Sequence, residues 1–177
     1  MSIVETNMSR VDLTLVHPEL AARVIRLLAV LRSQGKEFFV IEGYRSASRS
    51  ALLWTYGRTQ KNPDWKGEGL GPIVTKAKPF ESPHAFGLAV DLVLDKDQAA
   101  PGLQPDWGNE AFCPLGPVAA EVHLIWGGDW AWKDRPHLNL PGYTTAADLA
   151  PLTKIWQSAR GTPAERLQAV WKEVQCH

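Results

Sequence analysis

Cysteines are scarce in this sequence and its charges cancel, and each fact excludes classes of protein. Cys113 and Cys176 are the only cysteines among 177 residues, too few for a disulfide framework, and no CxxC pair suggests a thiolate metal site. We expect two reduced thiols. The 19 basic and 19 acidic residues balance, so no overall field favours nucleic acid or an anionic membrane. Any charged ligand must therefore be held by a local cluster of side chains.

Long apolar runs are also absent. No stretch approaches the ~20 apolar residues that a membrane-spanning helix needs. The first residues, which include Glu5, lack the apolar centre of a signal peptide. We therefore expect no membrane span and a protein that is cytoplasmic in the cell that makes it. With 45% hydrophobic residues, a chain of this length can bury a substantial core, and we expect residues 1–177 to form one domain.

Hydrophobic spacing predicts a mixture of helices and strands. The predicted helices lie near 18–35, 47–56, 117–123, 146–160 and 163–174, and the predicted strands near 38–41, 87–94 and 136–140. Helices and strands do not alternate regularly, so we expect an α+β fold. The segment 58–83 is rich in Gly, Pro and Lys without lasting periodicity, and loops of this length are often functional.

Two histidines, His84 and His137, stand near carboxylates in a pattern that suits metal binding. Asp91 follows His84 by seven residues, and Asp134 precedes His137 by three. Two imidazoles and one carboxylate are a ligand set of catalytic zinc sites, which leave a fourth position open. A second carboxylate nearby could transfer a proton. The spacing alone leaves open whether these residues bind a metal or are unrelated.

The spacing also needs a geometric explanation. An odd separation would place His84 and Asp91 on opposite faces of one regular strand. Gly87 lies between them, and a bend or bulge there would bring both side chains to one face. Pro136 favours an extended chain at the residue before it. We therefore expect two separate segments to converge on one ion.

The ordered motifs resemble a known enzyme family. The pattern Ser82-x-His84-x-x-Gly87-x-Ala89-x-Asp91 is followed by Trp126-Gly127-Gly128-Asp129-Trp130 and Asp134-x-Pro136-His137. Upstream, in the same order, stand Pro18-Glu19-Leu20-Ala21, Gly43-Tyr44-Arg45-Ser46, Gly57-Arg58-Thr59 and Ile73-Val74-Thr75-x-Ala77. Over about residues 17–140 the chain resembles the zinc-dependent peptidoglycan peptidases. These include the D-alanyl-D-alanine carboxypeptidases and, with a closer resemblance, the phage L-alanyl-D-glutamate endopeptidases known as endolysins.

This resemblance implies a site and a fold. It implies that His84, Asp91 and His137 bind one Zn²⁺ at a small, mainly antiparallel sheet flanked by helices. Asp134 matches the catalytic acid/base of the family. The two helices after residue 140 are then expected to pack on the catalytic domain, because about 35 residues are too few for an independent core.

The resemblance also implies roles at the substrate. Arg45 matches an arginine that binds substrate and helps to stabilise the oxyanion, and Ser82 matches a serine that lines the substrate site. The implied substrate is the peptidoglycan stem peptide, cut at the L-Ala–D-Glu bond. The implied setting is phage or prophage lysis, with a monomer that reaches the wall from the cytoplasm after a separate holin-type protein opens the membrane.

Several readings stay open at this point. Endolysins usually carry glutamine where this chain has Ser50 and asparagine where it has Ala85, so the exact substrate contacts are undefined. Trp126, Trp130 and Trp132 form either a sugar-stacking surface or packing contacts. A D-alanyl-D-alanine carboxypeptidase uses the same ligand set, and a non-catalytic zinc- or peptidoglycan-binding module could keep the same fold.

Overall fold

The helices predicted from the sequence are present in the computed structural model, which describes residues 11–176. They are α1 (Pro18–Ser33), α2 (Ala47–Thr55), α3 (Leu115–Glu121), α4 (Ala146–Ser158) and α5 (Pro163–Trp171). Short 3-10 helices span Leu13–Leu15, Pro83–Phe86, Asn109–Phe112 and Gly127–Asp129. The prediction that the chain begins without a signal peptide concerns its first residues, and residues 1–10 lie outside the described part of the chain. Within the described residues, no helix is both long and apolar enough to cross a membrane.

One five-stranded antiparallel sheet forms the centre of the fold. Its strands are β1 (Phe38–Glu42), β2 (Ala89–Asp95), β3 (Pro105–Asp106), β4 (Ile125–Trp126) and β5 (His137–Asn139). They pair in the order β1-β2-β5-β4, and β3 also pairs with β2. The sheet and its helices confirm the predicted α+β fold. β3 and β4 were not predicted, because two residues are too few to show alternation.

The first helix follows from its sequence. Pro18 occupies the first turn, and the imidazole of His17 caps the helix by accepting a hydrogen bond from the Glu19 N–H at 3.2 Å. Its apolar positions recur every three or four residues and are all buried: Leu20, Val24, Leu27, Leu28 and Leu31. Gly35, at φ +73°, follows the helix end in the left-handed conformation that glycine adopts readily.

Two elements begin two residues away from their predicted starts. α3 begins at Leu115, so Pro117 falls in its first turn, where the missing N–H has no helical partner to lose. β2 begins at Ala89, two residues later than predicted. Gly87, at φ +65°, instead ends the 3-10 helix Pro83–Phe86. The predicted bend at Gly87 is therefore present, as a helix cap.

The two C-terminal helices pack on the same core as the sheet, as predicted. Their buried side chains belong to the main hydrophobic cluster: Leu149, Leu152, Trp156, Leu167, Val170 and Trp171. The indole N–H of Trp171 donates a 2.8 Å hydrogen bond to the Phe86 carbonyl. These helices thus support the turn that carries His84. Cys113 and Cys176 are both free and exposed.

The long segment 58–83 is held in place although it contains no helix before Pro83. The Arg58 guanidinium lies 3.5 Å from the centroid of the Trp54 ring and donates to the Trp54 and Thr75 carbonyls. Farther along, the N–H of Asn62 donates to the Leu70 carbonyl at 2.8 Å. The segment therefore forms a fixed wall beside the sheet.

Candidate metal centre

The register of the sheet aligns three polar residues across three strands. His137 at the start of β5 lies directly opposite Asp91 in β2, and Glu42 at the end of β1 lies opposite Asp91 on its other side. Residues directly opposite each other share one face of a sheet. Ile41 is the extra residue of a β-bulge, and without that bulge it would take the position of Glu42. The bulge therefore brings a second carboxylate to the site.

His84 reaches this face from the 3-10 helix Pro83–Phe86. Gly87 lets the chain turn from that helix into β2, and a side chain there would collide with the Leu15 carbonyl oxygen. The imidazole of His84 is 1% exposed. Its Nδ1 lies 2.8 Å from the Gly43 carbonyl oxygen. A carbonyl only accepts, so Nδ1 carries the proton and Nε2 presents its lone pair to the site.

Three side-chain atoms converge at the centre of this face. His84 Nε2 lies 3.2 Å from Asp91 Oδ1 and 3.2 Å from His137 Nδ1, and His137 Nδ1 lies 3.3 Å from Asp91 Oδ1. Ligand atoms about 2.0–2.1 Å from a tetrahedral zinc ion lie about 3.3 Å from one another. The three residues therefore fit a zinc ion, and they could hold one.

The electrostatics of these residues favour the forms that bind metal. Burial lowers the pKa of His84, which favours the neutral imidazole. Burial on its own would raise the pKa of Asp91, but the imidazoles of His84 and His137 outweigh it and hold that pKa well below its usual range. Neutral imidazole and ionised carboxylate are the metal-binding states. A cation among these acceptor atoms would relieve their mutual repulsion.

Arg45 fixes the orientation of the Asp91 carboxylate. Its Nη2 donates to Asp91 Oδ2 at 3.2 Å, and its Nε donates to Glu42 Oε1 at 3.0 Å. The Arg45 backbone N–H also donates to the His84 carbonyl at 2.9 Å. The side chain is only 11% exposed. Arg45 thus engages Oδ2 of Asp91 and leaves Oδ1 facing the imidazoles, an outer contact typical of metal sites.

Asp134 lies beside the three candidate ligands with a carboxyl group of altered acidity. The turn that carries it is closed by the Asp134 N–H, which donates to the Gly127 carbonyl at 2.9 Å, and by the His137 N–H, which donates to the Asp134 carbonyl. Burial and then the negative charge of Asp91 raise the pKa of Asp134. A raised pKa suits a carboxyl group that both accepts and returns a proton.

An open cleft of about 610 Å³ contains this site. Its walls include residues of the sheet, the loop segment 74–77 and three tryptophans, Trp107, Trp130 and Trp132. The Trp130 ring centroid lies 5.0 Å from that of His137. Trp126 is instead a packing residue, since it lies against Gly116 and Gly128 and donates to the Arg135 carbonyl.

The structure brings all six predicted site residues into this cleft: Arg45, Ser82, His84, Asp91, Asp134 and His137. Ser82 is half-buried at the start of the 3-10 helix. Ser50 and Ala85, where the chain departs from the endolysin pattern, are both buried and do not line the cleft.

Glu42 and Trp107 also line the cleft, and no motif in the sequence had marked either residue. Glu42 ends a strand directly before the Gly43-Tyr44-Arg45-Ser46 motif, and this position was the available signal. Trp107 lies in a polar loop without a pattern, so nothing in the sequence marked it.

Comparison with known proteins agrees with this geometry. A family profile described as D-alanyl-D-alanine carboxypeptidase matches residues 75–140. Peptidoglycan L-alanyl-D-glutamate endopeptidase CwlK of Bacillus subtilis (strain 168) is 32% identical over 133 residues, which cover 71% of this chain and 73% of CwlK. The crystal structure of Serratia marcescens L-Ala D-Glu endopeptidase ChiX matches with a TM-score of 0.51 and 23% identity, over 79% of this chain and 88% of ChiX, and so shares the fold. The chain therefore belongs to the family of zinc-dependent peptidoglycan peptidases that contains the D-alanyl-D-alanine carboxypeptidases and the L-alanyl-D-glutamate endopeptidases.

Proposed function

We propose that this protein hydrolyses the L-Ala–D-Glu bond of the peptidoglycan stem peptide, with one Zn²⁺ held by His84, Asp91 and His137. The observation that carries the proposal is the convergence of two imidazole nitrogens and one carboxylate oxygen within 3.3 Å of one another at an open cleft. The similarity to CwlK, whose name states this bond, supports the choice of substrate.

The side chains around the metal site have separate tasks in this proposal. Zinc in such a site polarises a carbonyl group and lowers the pKa of water. Asp134 takes a proton from the attacking water and returns it to the leaving amine, for which its raised pKa is suited. Arg45 orients Asp91 and, as the family resemblance implies, also binds substrate and stabilises the developing oxyanion. Ser82 lines the wall that the peptide contacts.

Digestion of purified muropeptides, followed by mass spectrometry, tests the reaction. We expect products with a new D-Glu amino terminus, formed in the presence of zinc and abolished by a chelator. Intact muropeptides after incubation with zinc-loaded protein would contradict the proposal.

The same digestion tests the alternatives. A D-alanyl-D-alanine carboxypeptidase, the description carried by the family profile that matches residues 75–140, would release D-Ala and leave the L-Ala–D-Glu bond intact. A non-catalytic module would bind about one zinc per chain without releasing any product. The cleft favours the enzyme, because Asp134 lies beside the candidate ligands and a structural site needs no proton-transfer group.

We further propose that the protein is a monomeric lysis enzyme, stored in the cytoplasm and released to the wall by a holin-type protein. The resemblance of the sequence motifs to endolysins supports this setting. Cells that express the protein should lyse only after their inner membrane is permeabilised, and the purified protein should sediment as a monomer. Lysis without permeabilisation would contradict cytoplasmic storage.

A further inference from the structure

The cleft contains a cation that has no carboxylate partner among the described residues. Three Lys and Arg side chains line the cleft: Arg45, Arg49 and Lys76. Arg45 pairs with Glu42 and Asp91, and Arg49 Nη2 lies 3.5 Å from Glu42 Oε2. Lys76 forms no ion pair with the described residues, and its Nζ lies 5.1 Å from the centroid of the Trp132 ring.

The position of Lys76 is set by its surroundings. The Thr75 carbonyl accepts a 3.0 Å hydrogen bond from Arg58, and the Ala77 N–H donates to Thr75 Oγ1 at 3.2 Å. The Trp132 ring gives the ammonium group an electrostatically favourable platform. Lys76 is itself exposed, so a ligand can approach its ammonium group. Lys76 is therefore held at the cleft and available to an incoming anion.

The rest of the cleft is acidic. Five carboxylates line it: Glu42, Asp64, Glu81, Asp91 and Asp134. They outnumber the three cations, and two of those cations already pair with Glu42 or Asp91. The zinc ion of the proposed function adds two positive charges, but Asp91 is one of its ligands and it acts at the scissile bond. A separate carboxylate on the substrate therefore needs another cation that is not already paired. Lys76 is the cation that meets this need.

We propose that Lys76 binds the free carboxylate of the D-Glu residue next to the scissile bond and makes the enzyme select D-Glu over its amide. This inference rests on the proposed function. D-Glu has two carboxyl groups, and only one of them continues the peptide chain. The other stays free, and it lies within one residue of the bond that is cut. Amidation removes this charge while changing the shape of the residue very little.

Two synthetic stem peptides test the proposal. They are identical except that the free carboxylate of D-Glu is a carboxamide in the second peptide. The enzyme variants are Lys76→Gln and, as a matched control, Lys78→Gln. Lys78 also lies over a tryptophan, with Nζ 5.8 Å from the Trp54 ring centroid, but it does not line the cleft.

The readout is the ratio of kcat/KM for the two peptides, measured with zinc-loaded enzyme. The wild-type protein should prefer the carboxylate peptide by about five- to tenfold, the range of a partly exposed charged contact. Lys78→Gln should keep this preference, whereas Lys76→Gln should abolish it. Added salt should weaken the wild-type preference. Because both rates come from one enzyme sample, a change in the folded fraction cancels in the ratio.

The outcomes separate the two claims. A Lys76→Gln enzyme that retains the full wild-type preference would overturn the assignment of Lys76 and leave the proposed function intact. The same holds for a wild-type enzyme that cuts both peptides equally well. A wild-type enzyme that cuts neither peptide at the L-Ala–D-Glu bond would overturn the proposed function, and the Lys76 assignment with it.

Discussion

At the residue scale, Asp134 differs from Glu42 and Asp91, the two carboxylates beside Arg45, in its surroundings. Its side chain accepts no hydrogen bond from the described part of the chain, whereas Glu42 and Asp91 are both paired with Arg45. Burial raises the pKa of Asp134, which suits a carboxyl group that accepts and returns a proton. These properties distinguish a proton-transfer role from a ligand role.

We predict that Asp134→Asn lowers kcat by about 10²- to 10⁴-fold, because the amide cannot accept and return a proton. The variant should still bind one zinc ion, since the three candidate ligands stay in place. Stem-peptide kinetics measure the first effect and metal analysis after dialysis measures the second. His137→Ala serves as the contrast and should lose both zinc and activity. An Asp134→Asn enzyme with wild-type kcat would remove the assigned role.

Residues that a motif marked by their chemical type lie together in the structure, while their roles stay predictions. The candidate ligands and Asp134 are examples, and all of them line one cleft. The position of Glu42 before a motif marks it as close to the site, but its pairing opposite Asp91 could not be predicted, because that pairing depends on the bulge at Ile41. A bulge depends on the pairing partner as well as on the strand itself, and the partner is distant in sequence.

At the scale of the elements, the left-handed turn at Gly87 joins the His84 helix to β2. We predict that Gly87→Ala destabilises the protein by about 3 kcal/mol or more, because the strained backbone and the collision with the Leu15 carbonyl add together. Urea unfolding measures this loss, and a zinc titration should show weaker binding because His84 shifts.

Gly102→Ala is the matched control for this turn. Gly102 has φ +79° and open space around the position of a Cβ atom. Only the backbone strain remains there, so we expect a loss of about 1–2 kcal/mol and unchanged zinc affinity. Equal losses for the two variants would show that the contact with Leu15 has no energetic importance.

The N-cap of α1 gives the protein a dependence on pH. Burial lowers the pKa of His17, with Glu19 opposing and Arg23 adding to the effect. Its Nδ1 accepts the Glu19 N–H, and its ring makes an edge contact with Trp171, with centroids 5.6 Å apart. Protonation of Nδ1 would break the cap.

The sign of this effect follows from proton linkage. The unfolded state binds the His17 proton more tightly, so this contribution to stability is complete above the unfolded pKa of about 6.5 and is lost as the pH falls from there through the lower folded pKa. His17→Asn keeps a capping acceptor without a titrating group. We predict that the stability of wild type relative to His17→Asn falls between pH 7 and pH 5, as measured by urea unfolding. A constant difference would contradict this origin.

The accuracy with which a helix or strand was predicted depended on its length. α1, α4 and α5 show clear helical spacing, and their predicted starts agree with the structure. The 3-10 helix Pro83–Phe86 was not predicted, because one turn has no periodicity to detect. The local structure around His84 therefore could not be predicted from the sequence.

At the scale of the whole molecule, the long segment 58–83 shows what hydrophobic periodicity cannot predict, which is the course of a loop. Its lack of periodicity correctly predicted a loop, but its fixed course depends on single contacts such as the stacking of Arg58 on Trp54. Such contacts leave no repeating signal in the sequence. The course of this wall, which carries Lys76, therefore could not be predicted from the sequence.

The C-terminal helices decide whether the chain behaves as one cooperative unit, as we propose. Leu167 in α5 is fully buried in the main core, and Trp171 in the same helix bonds to Phe86 beside His84. We predict that Leu167→Ala lowers the free energy of unfolding by about 2–5 kcal/mol. Exposed Lys172 offers the control, and Lys172→Ala should change it by no more than about 0.5 kcal/mol. In calorimetry, Leu167→Ala should still unfold in one transition that zinc shifts as a whole, because ligand binding stabilises the entire cooperative unit. Two transitions, only one of them moved by zinc, would instead make the helices after residue 140 a separate module.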